Sequence, residues 1–151
     1  MERVYLDKDI FVIKNFLSDD EISKFPKNLK EVRSRVSSLF NDEYLIKGLG
    51  FVRTQLPEDF DYIHYDSHRL TCVCEWCSKN GQLRSKYAFV IYLNDDFSGG
   101  GEITYFYQNI VYQPEKGSLI CHLGTSEYTH RVSKIKEGER KSVFFWIEET
   151  N

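Results

Sequence analysis

The chain has 151 residues, 41% of them apolar and 15% aromatic, which is enough to fill one core and excludes fibrous, disordered and multidomain organisation. Lys plus Arg number 20 against 23 Asp plus Glu, a formal net charge of −3 with no basic run, so a dedicated nucleic-acid binder is disfavoured. No apolar stretch is long enough to span a bilayer and Met1 to Lys8 hold no leader-like apolar segment, so the expectation is a soluble, cytoplasmic protein that acts at no membrane.

Three of the four cysteines crowd at Cys72, Cys74 and Cys77, with Cys121 far away. That is unlike the evenly spread framework of a secreted scaffold, and reduced thiols are expected. Aromatic and β-branched residues abound while alanine is nearly absent, a bias toward pleated surfaces.

In chain order, Val4-Tyr5-Leu6 and Ile10–Ile13 read as short strands, closed by Asn15-Phe16-Leu17. Ser18 with Glu21 three residues on is a capping box and predicts a helix start. Pro26 interrupts that helix. Leu29, Val32, Val36, Leu39 and Phe40 have helical spacing and predict a second helix over 28–40 with one apolar stripe. Strands are predicted over 50–55, 62–66, 70–76, 86–93, 103–106, 110–113, 118–122, 129–135 and 140–148, each bounded by turn-forming residues. Asn80-Gly81, the stretch Asn94 to Gly101, and Glu137-Gly138 supply turns. The expectation is one mainly β (α+β) domain over 1–151, with a strand and helix region at 1–43 and a barrel-like double sheet over 44–151.

His64-Tyr65-Asp66 puts an imidazole and a carboxylate on one face of a strand. By itself the pair is a weak motif and reads first as a polar strand end with a hydrogen-bonded histidine. His130, opening a later strand, changes this, because two histidines and one carboxylate form the facial triad that holds non-haem Fe(II) with vacant positions for a cosubstrate and O2. In the final strand, Arg140, Ser142, Phe144 and Trp146 share a face, as Val132 does with His130. A guanidinium in an apolar strand calls for an anion, and its planar fork suits a carboxylate. A dicarboxylate chelating a metal at one end would offer its other end to Arg140 and Ser142. The alternative is a surface arginine at a hairpin corner. His122, alternating with Ile120, reads as a hydrogen-bonded core histidine rather than a ligand.

The order and spacing of His64–Asp66, Tyr92-Leu93-Asn94, Gly99-Gly100-Gly101-Glu102, Pro114 with Gly117, and His130 to Trp146 resemble the iron and 2-oxoglutarate dependent oxygenases, in their prolyl 4-hydroxylase-like branch. The resemblance runs from about Ile10 to Ile147. It implies a double-stranded β-helix, or jelly roll, with the two N-terminal helices packed on one sheet. It implies that His64, Asp66 and His130 are the iron ligands, that Arg140 and Tyr92 bind the distal carboxylate of 2-oxoglutarate, and that Trp146 lines the substrate end. The chain departs from the pattern at Arg53-Thr54-Gln55, where relatives commonly carry a tyrosine that touches 2-oxoglutarate.

The chemistry so implied is hydroxylation of an unactivated C–H bond using Fe(II), 2-oxoglutarate and O2, with ascorbate as reductant and release of succinate and CO2. A prolyl residue in a peptide or protein is the first substrate expected, and a small molecule or nucleobase the alternative. The mouth loops, Tyr65 to Lys86 and Asn94 to Gly101, are expected to choose it. The cysteine-bearing segment reads as a hairpin lid; a zinc site from His68, Cys72, Cys74 and Cys77 is the other reading, against which the spacing argues. The rival from another class is a non-catalytic jelly-roll binding module.

Overall fold

Alternation of apolar side chains builds the main sheet, and a computed structural model describes residues 1–40, 44–47, 52–59, 61–66 and 85–149 of it and its surroundings. The strands are β1 (Val4–Asp7), β2 (Ile10–Ile13), β3 (Tyr44–Lys47), β4 (Arg53–Gln55), β5 (Ser85–Tyr92), β6 (Ile103–Tyr105), β7 (Ile110–Tyr112), β8 (Leu119–Leu123), β9 (His130–Val132) and β10 (Arg140–Glu149). Seven form an antiparallel sheet in the order β1-β2-β8-β5-β10-β3, with β4 also on β10, and β7-β6-β9 form a smaller sheet facing it. This is the double-stranded β-helix the sequence resemblance implies. The N-terminal strands belong to the main sheet, since β2 pairs with β8.

Helices α1 (Asp19–Lys24) and α2 (Leu29–Ser37) cover the outer face of the main sheet. Val32 and Val36 of α2 pack there with Phe11, Phe89, Cys121, Val143, Phe145 and Ile147. Phe89 and Phe145 stack with ring centroids 5.2 Å apart. Each such buried ring contributes about 2–3 kcal/mol of transfer free energy. A second cluster, with Ile10, Val12, Ile120, Ile103 and Tyr105, fills the space between the sheets. β2 is buried at all four positions because both its faces are covered.

The capping box forms as predicted: Ser18 Oγ accepts from the Glu21 amide at 3.2 Å and the Ser18 amide donates to Glu21 Oε2 at 2.9 Å. Glu21 also pairs with Arg35 of α2, whose Nη1 donates to the Phe16 carbonyl at 2.7 Å. The box thus ties both helices to the chain entering them. α2 stops at Ser37 rather than Phe40, because the amides of Leu39 and Phe40 turn back to Val36 and Ser37 in tighter three-residue bonds. Gly117, at φ +77°, is required where the chain crosses the α1 entry, since a Cβ would stand 2.4 Å from the Leu17 carbonyl oxygen.

Two expectations are corrected. Residues 62–66 make no strand; His64 forms a single bridge to His130. The ladder stops because the Val132 amide, which a continuing strand would bond, donates instead to the Asp61 carboxylate at 2.9 Å. β3 lies in a stretch for which no strand was predicted, and it pairs with the end of β10. The predicted strand 70–76, the Asn80-Gly81 turn and the cysteines Cys72, Cys74 and Cys77 lie outside the described residues. No helix among the described residues is long and apolar enough to cross a membrane.

Hydrogen bonds from Arg35 and then from the Ser18 amide hold the Glu21 carboxyl down to about 2. A carboxyl depressed by folding stabilises fully above its unfolded value and loses that contribution as pH falls through the folded one. Glu21→Gln is expected to lower unfolding free energy by about 1 kcal/mol at neutral pH, allowing for partial exposure. In urea titrations the gap between parent and variant closes from about pH 4.5 to about pH 2.

Candidate active site

His64 and His130 are brought together by reciprocal backbone bonds: the His64 amide donates to the His130 carbonyl at 3.0 Å and the His130 amide returns at 2.9 Å. Their ring centroids lie 4.5 Å apart. Each ring is oriented by the carbonyl two residues before it. His64 Nδ1 lies 2.7 Å from the Tyr62 carbonyl and His130 Nδ1 lies 2.8 Å from that of Tyr128. A carbonyl only accepts, so both Nδ1 atoms carry hydrogen, and in the neutral rings each Nε2 presents a lone pair. Tyr128 is anchored in turn, its hydroxyl donating to Asp9 Oδ2 at 2.7 Å.

Both Nε2 atoms face Asp66, His64 at 3.8 Å from Oδ1 and His130 at 3.6 Å from Oδ2. These separations are too long for hydrogen bonds. One ligand atom from each of the three residues lies within 4.8 Å of the others, an arrangement that could hold a metal ion. Two nitrogen lone pairs converging on a carboxylate with no proton between them repel unless a cation stands there, and two imidazoles with one carboxylate on a single side suit Fe(II). Burial pushes the Asp66 carboxyl up, but the hydrogen bond from His122 and the surrounding imidazoles of His122, His130 and His64 outweigh it and hold the carboxyl well below the usual range. His130 is brought down to about 4, first by burial and then by His122.

The same cavity, about 550 Å³, is lined by Arg140, Ser142, Tyr92 and Trp146 from the main sheet and by Tyr65 beside the triad. Arg140, Ser142, Phe144 and Trp146 do share the cavity face, as β10 parity predicts, while Val143, Phe145 and Ile147 enter the core beneath. Arg140 is 5% exposed and has no ion-pair partner among the described residues; its Nε finds no hydrogen-bond partner. The Tyr92 hydroxyl is likewise buried, with no hydrogen bond of normal geometry among the described residues and with the guanidinium carbon of Arg140 5.2 Å from its ring centroid. Burial raises the Tyr92 phenol against the pull of Arg140. Gln55, opposite Arg140 in the β4–β10 register, has a buried Oε1 without a partner, so the stretch lacking the family tyrosine still lines the pocket. A buried cation and unpaired polar groups together are costly alone and suit an anionic ligand. The surface-corner alternative for Arg140 does not hold.

Trp146 Nε1 reaches toward Asp66 Oδ1 at 3.5 Å, and its ring meets Phe144 edge to face, 5.1 Å between centroids. His122 is a hydrogen-bonded core histidine as expected, but one of its partners is Asp66, at 2.7 Å. Sequence reasoning missed that link. The signal was present in the parity of β8, which turns His122 toward the second sheet with Ile120; what sequence alone lacks is which residue waits across the gap.

The family described as the 2OG-Fe(II) oxygenase superfamily matches residues 51–148. The chain belongs to that superfamily. Comparison with curated proteins finds no match by sequence. Among solved structures the chain is similar to the viral collagen prolyl hydroxylase vCPH from Paramecium bursaria Chlorella virus-1 in its 2-oxoglutarate complex, with TM-score 0.75, 19% identity, and 95% of this chain and 97% of that one covered. It is similar to a prolyl-4-hydroxylase from Pseudomonas putida, with TM-score 0.56, 17% identity and coverage of 94% and 72%. It is similar also to HygX from Streptomyces hygroscopicus with nickel and 2-oxoglutarate bound, with TM-score 0.59, 13% identity and coverage of 94% and 82%.

Because folding lowers the proton affinity of His130, its contribution to stability is complete above its unfolded value near 6.5 and is lost as pH falls toward about 4. Chelator-treated protein is expected to lose about 2 kcal/mol of unfolding free energy between neutral pH and about pH 5. His130→Gln, titrated with urea at both pH values, is expected to lose little over that interval.

Proposed function

We infer that this chain is a 2-oxoglutarate-dependent oxygenase that holds Fe(II) on His64, Asp66 and His130 and hydroxylates a prolyl residue of a peptide or protein. The observation that carries this is the convergence of the His64 and His130 Nε2 atoms and the Asp66 carboxylate in the same cavity as a buried Arg140 that has no ion-pair partner among the described residues. Iron held by these three residues would supply activation of O2, coupled to decarboxylation of 2-oxoglutarate to succinate and CO2 and to insertion of oxygen into a C–H bond.

The protein's residues do the rest. Arg140 grips the far carboxylate of 2-oxoglutarate, with the Tyr92 and Ser142 hydroxyls as further donors; all three are buried, Ser142 two positions along β10 from Arg140 and directly opposite Tyr92 on β5. A diacid gripped at this end is oriented with its 2-oxo acid end toward the triad. Phe144 and Trp146 form the apolar wall that keeps water from the reacting centre. Trp146 and the half-buried Tyr65 stand where a substrate residue would lie, and flat aromatic surfaces suit a proline ring. The prolyl choice is supported by the likeness to vCPH and to the Pseudomonas enzyme, though the fold alone serves other substrates. Ascorbate serves as the external reductant and the reduced cytoplasm as the setting.

The test is turnover. Protein loaded anaerobically with Fe(II), then given 2-oxoglutarate, ascorbate and air, should release succinate slowly alone and faster with proline-rich peptides that gain the mass of one oxygen. No succinate from metal-loaded protein would favour a non-catalytic jelly-roll module, and succinate stimulated only by small molecules or nucleobases would overturn the prolyl assignment. Arg140→Ala is expected to cost about 2 kcal/mol of 2-oxoglutarate binding, roughly thirtyfold in its KM, while leaving the Fe(II) requirement unchanged. His130→Ala is expected to remove both metal binding and turnover with the fold retained.

A further inference from the structure

Asp66 is held from its far side by a chain of two groups. Its Oδ2 lies 2.7 Å from His122 Nε2, and His122 Nδ1 lies 2.7 Å from the Tyr105 hydroxyl. An ionised carboxylate only accepts, so Nε2 of His122 carries hydrogen, and in the neutral ring Nδ1 accepts from Tyr105. Both nitrogens of His122 are thereby committed, whereas His64 and His130 spend only Nδ1 and leave Nε2 open. The three imidazoles therefore divide into two with free lone pairs and one whose lone pair is used by a buried phenol. His122 is 1% exposed and Tyr105 is 0% exposed, so neither exchanges these partners for water.

The sheet makes room for this contact. His122 and Trp146 flank Ala88 in register, on β8 and β10 either side of β5. Ala88 is the only alanine in the chain, and it lines the cavity. Its methyl group leaves open the space through which both neighbouring rings reach Asp66, one toward each oxygen. A larger side chain there would stand between them.

We propose that His122, oriented by Tyr105, is a positioning residue that anchors Asp66 through Oδ2 and so fixes how the carboxylate faces the His64 and His130 nitrogens, where the metal would be held. The role rests on the function proposed above. Anchoring the carboxylate in advance removes the rotation that Asp66 would otherwise lose on binding metal.

The test is equilibrium binding of Co(II) to the intact protein, read by its d–d absorption, with thermal unfolding of each variant alongside. His122→Leu is expected to weaken Co(II) about 10- to 100-fold, as loss of a partner to a ligating group does. His122→Gln, whose amide can still donate to Asp66, should recover most of the affinity with an unchanged spectrum. Tyr105→Phe should weaken it about fivefold, the worth of one hydrogen bond. If His122→Leu does not fold, the Tyr105→Phe value decides: a loss supports the role and parent affinity overturns it. Parent-like affinity in His122→Leu overturns it, as does a His122→Gln variant with an altered spectrum and the full loss, which would make His122 a ligand. A parent protein that binds no Co(II) overturns the proposed function itself.

Discussion

The structure turns on one desolvated carboxylate. Asp66, with a side chain 13% exposed, is surrounded by three imidazoles and an indole edge, and only one of those neighbours offers it a short hydrogen bond. Taking a carboxylate out of water costs several kcal/mol unless charge or hydrogen bonds replace the solvent. Here His122 replaces part of it, and the rest is left facing two nitrogen lone pairs. That unfinished arrangement is stable in a cation's presence and strained without one, which is why the metal reading follows from the hydrogen-bond accounting as much as from the residue types.

The fold supplies the rigidity this needs. β10 carries Arg140, Ser142 and Trp146 on its cavity face and Val143, Phe145 and Ile147 on its core face, so packing under α2 fixes the height of the cavity side chains. The smaller sheet contributes the histidines through the bridge between His64 and His130, next to Tyr105 on β6. The two ends of the cavity thus belong to different sheets. The His64, Asp66 and His130 cluster sits mainly on one side and Arg140 on the other, within one cavity. Glycines close the loop that joins the sheets: a Cβ on Gly100 would lie 1.7 Å from the Lys134 carbonyl oxygen.

Much of this was legible in the sequence because it depends on period-two alternation and short spacing. His64 with Asp66, and Arg140 with Ser142, Phe144 and Trp146, are local patterns that a strand turns into a shared face. The capping box at Ser18 and Glu21 is local too. What stayed hidden depends on register between distant segments. The bond from His122 to Asp66 spans 56 positions, and the bond from Gln55 to the Ser133 carbonyl spans 78. The missing strand at 62–66 has a similar cause, since a side chain, Asp61, takes the amide that the ladder would have used. β3 was missed, and its pairing with the end of β10, a register between distant segments, defines it.

The most direct test of the central claim is an anaerobic titration of the chelate. Protein is loaded with Fe(II), 2-oxoglutarate is added, and the charge-transfer absorption of the iron and 2-oxo acid pair is followed. One chelate per chain is expected, formed only after metal is present. Equal binding of 2-oxoglutarate to metal-free protein, or saturation with iron and 2-oxoglutarate without that absorption, would contradict it.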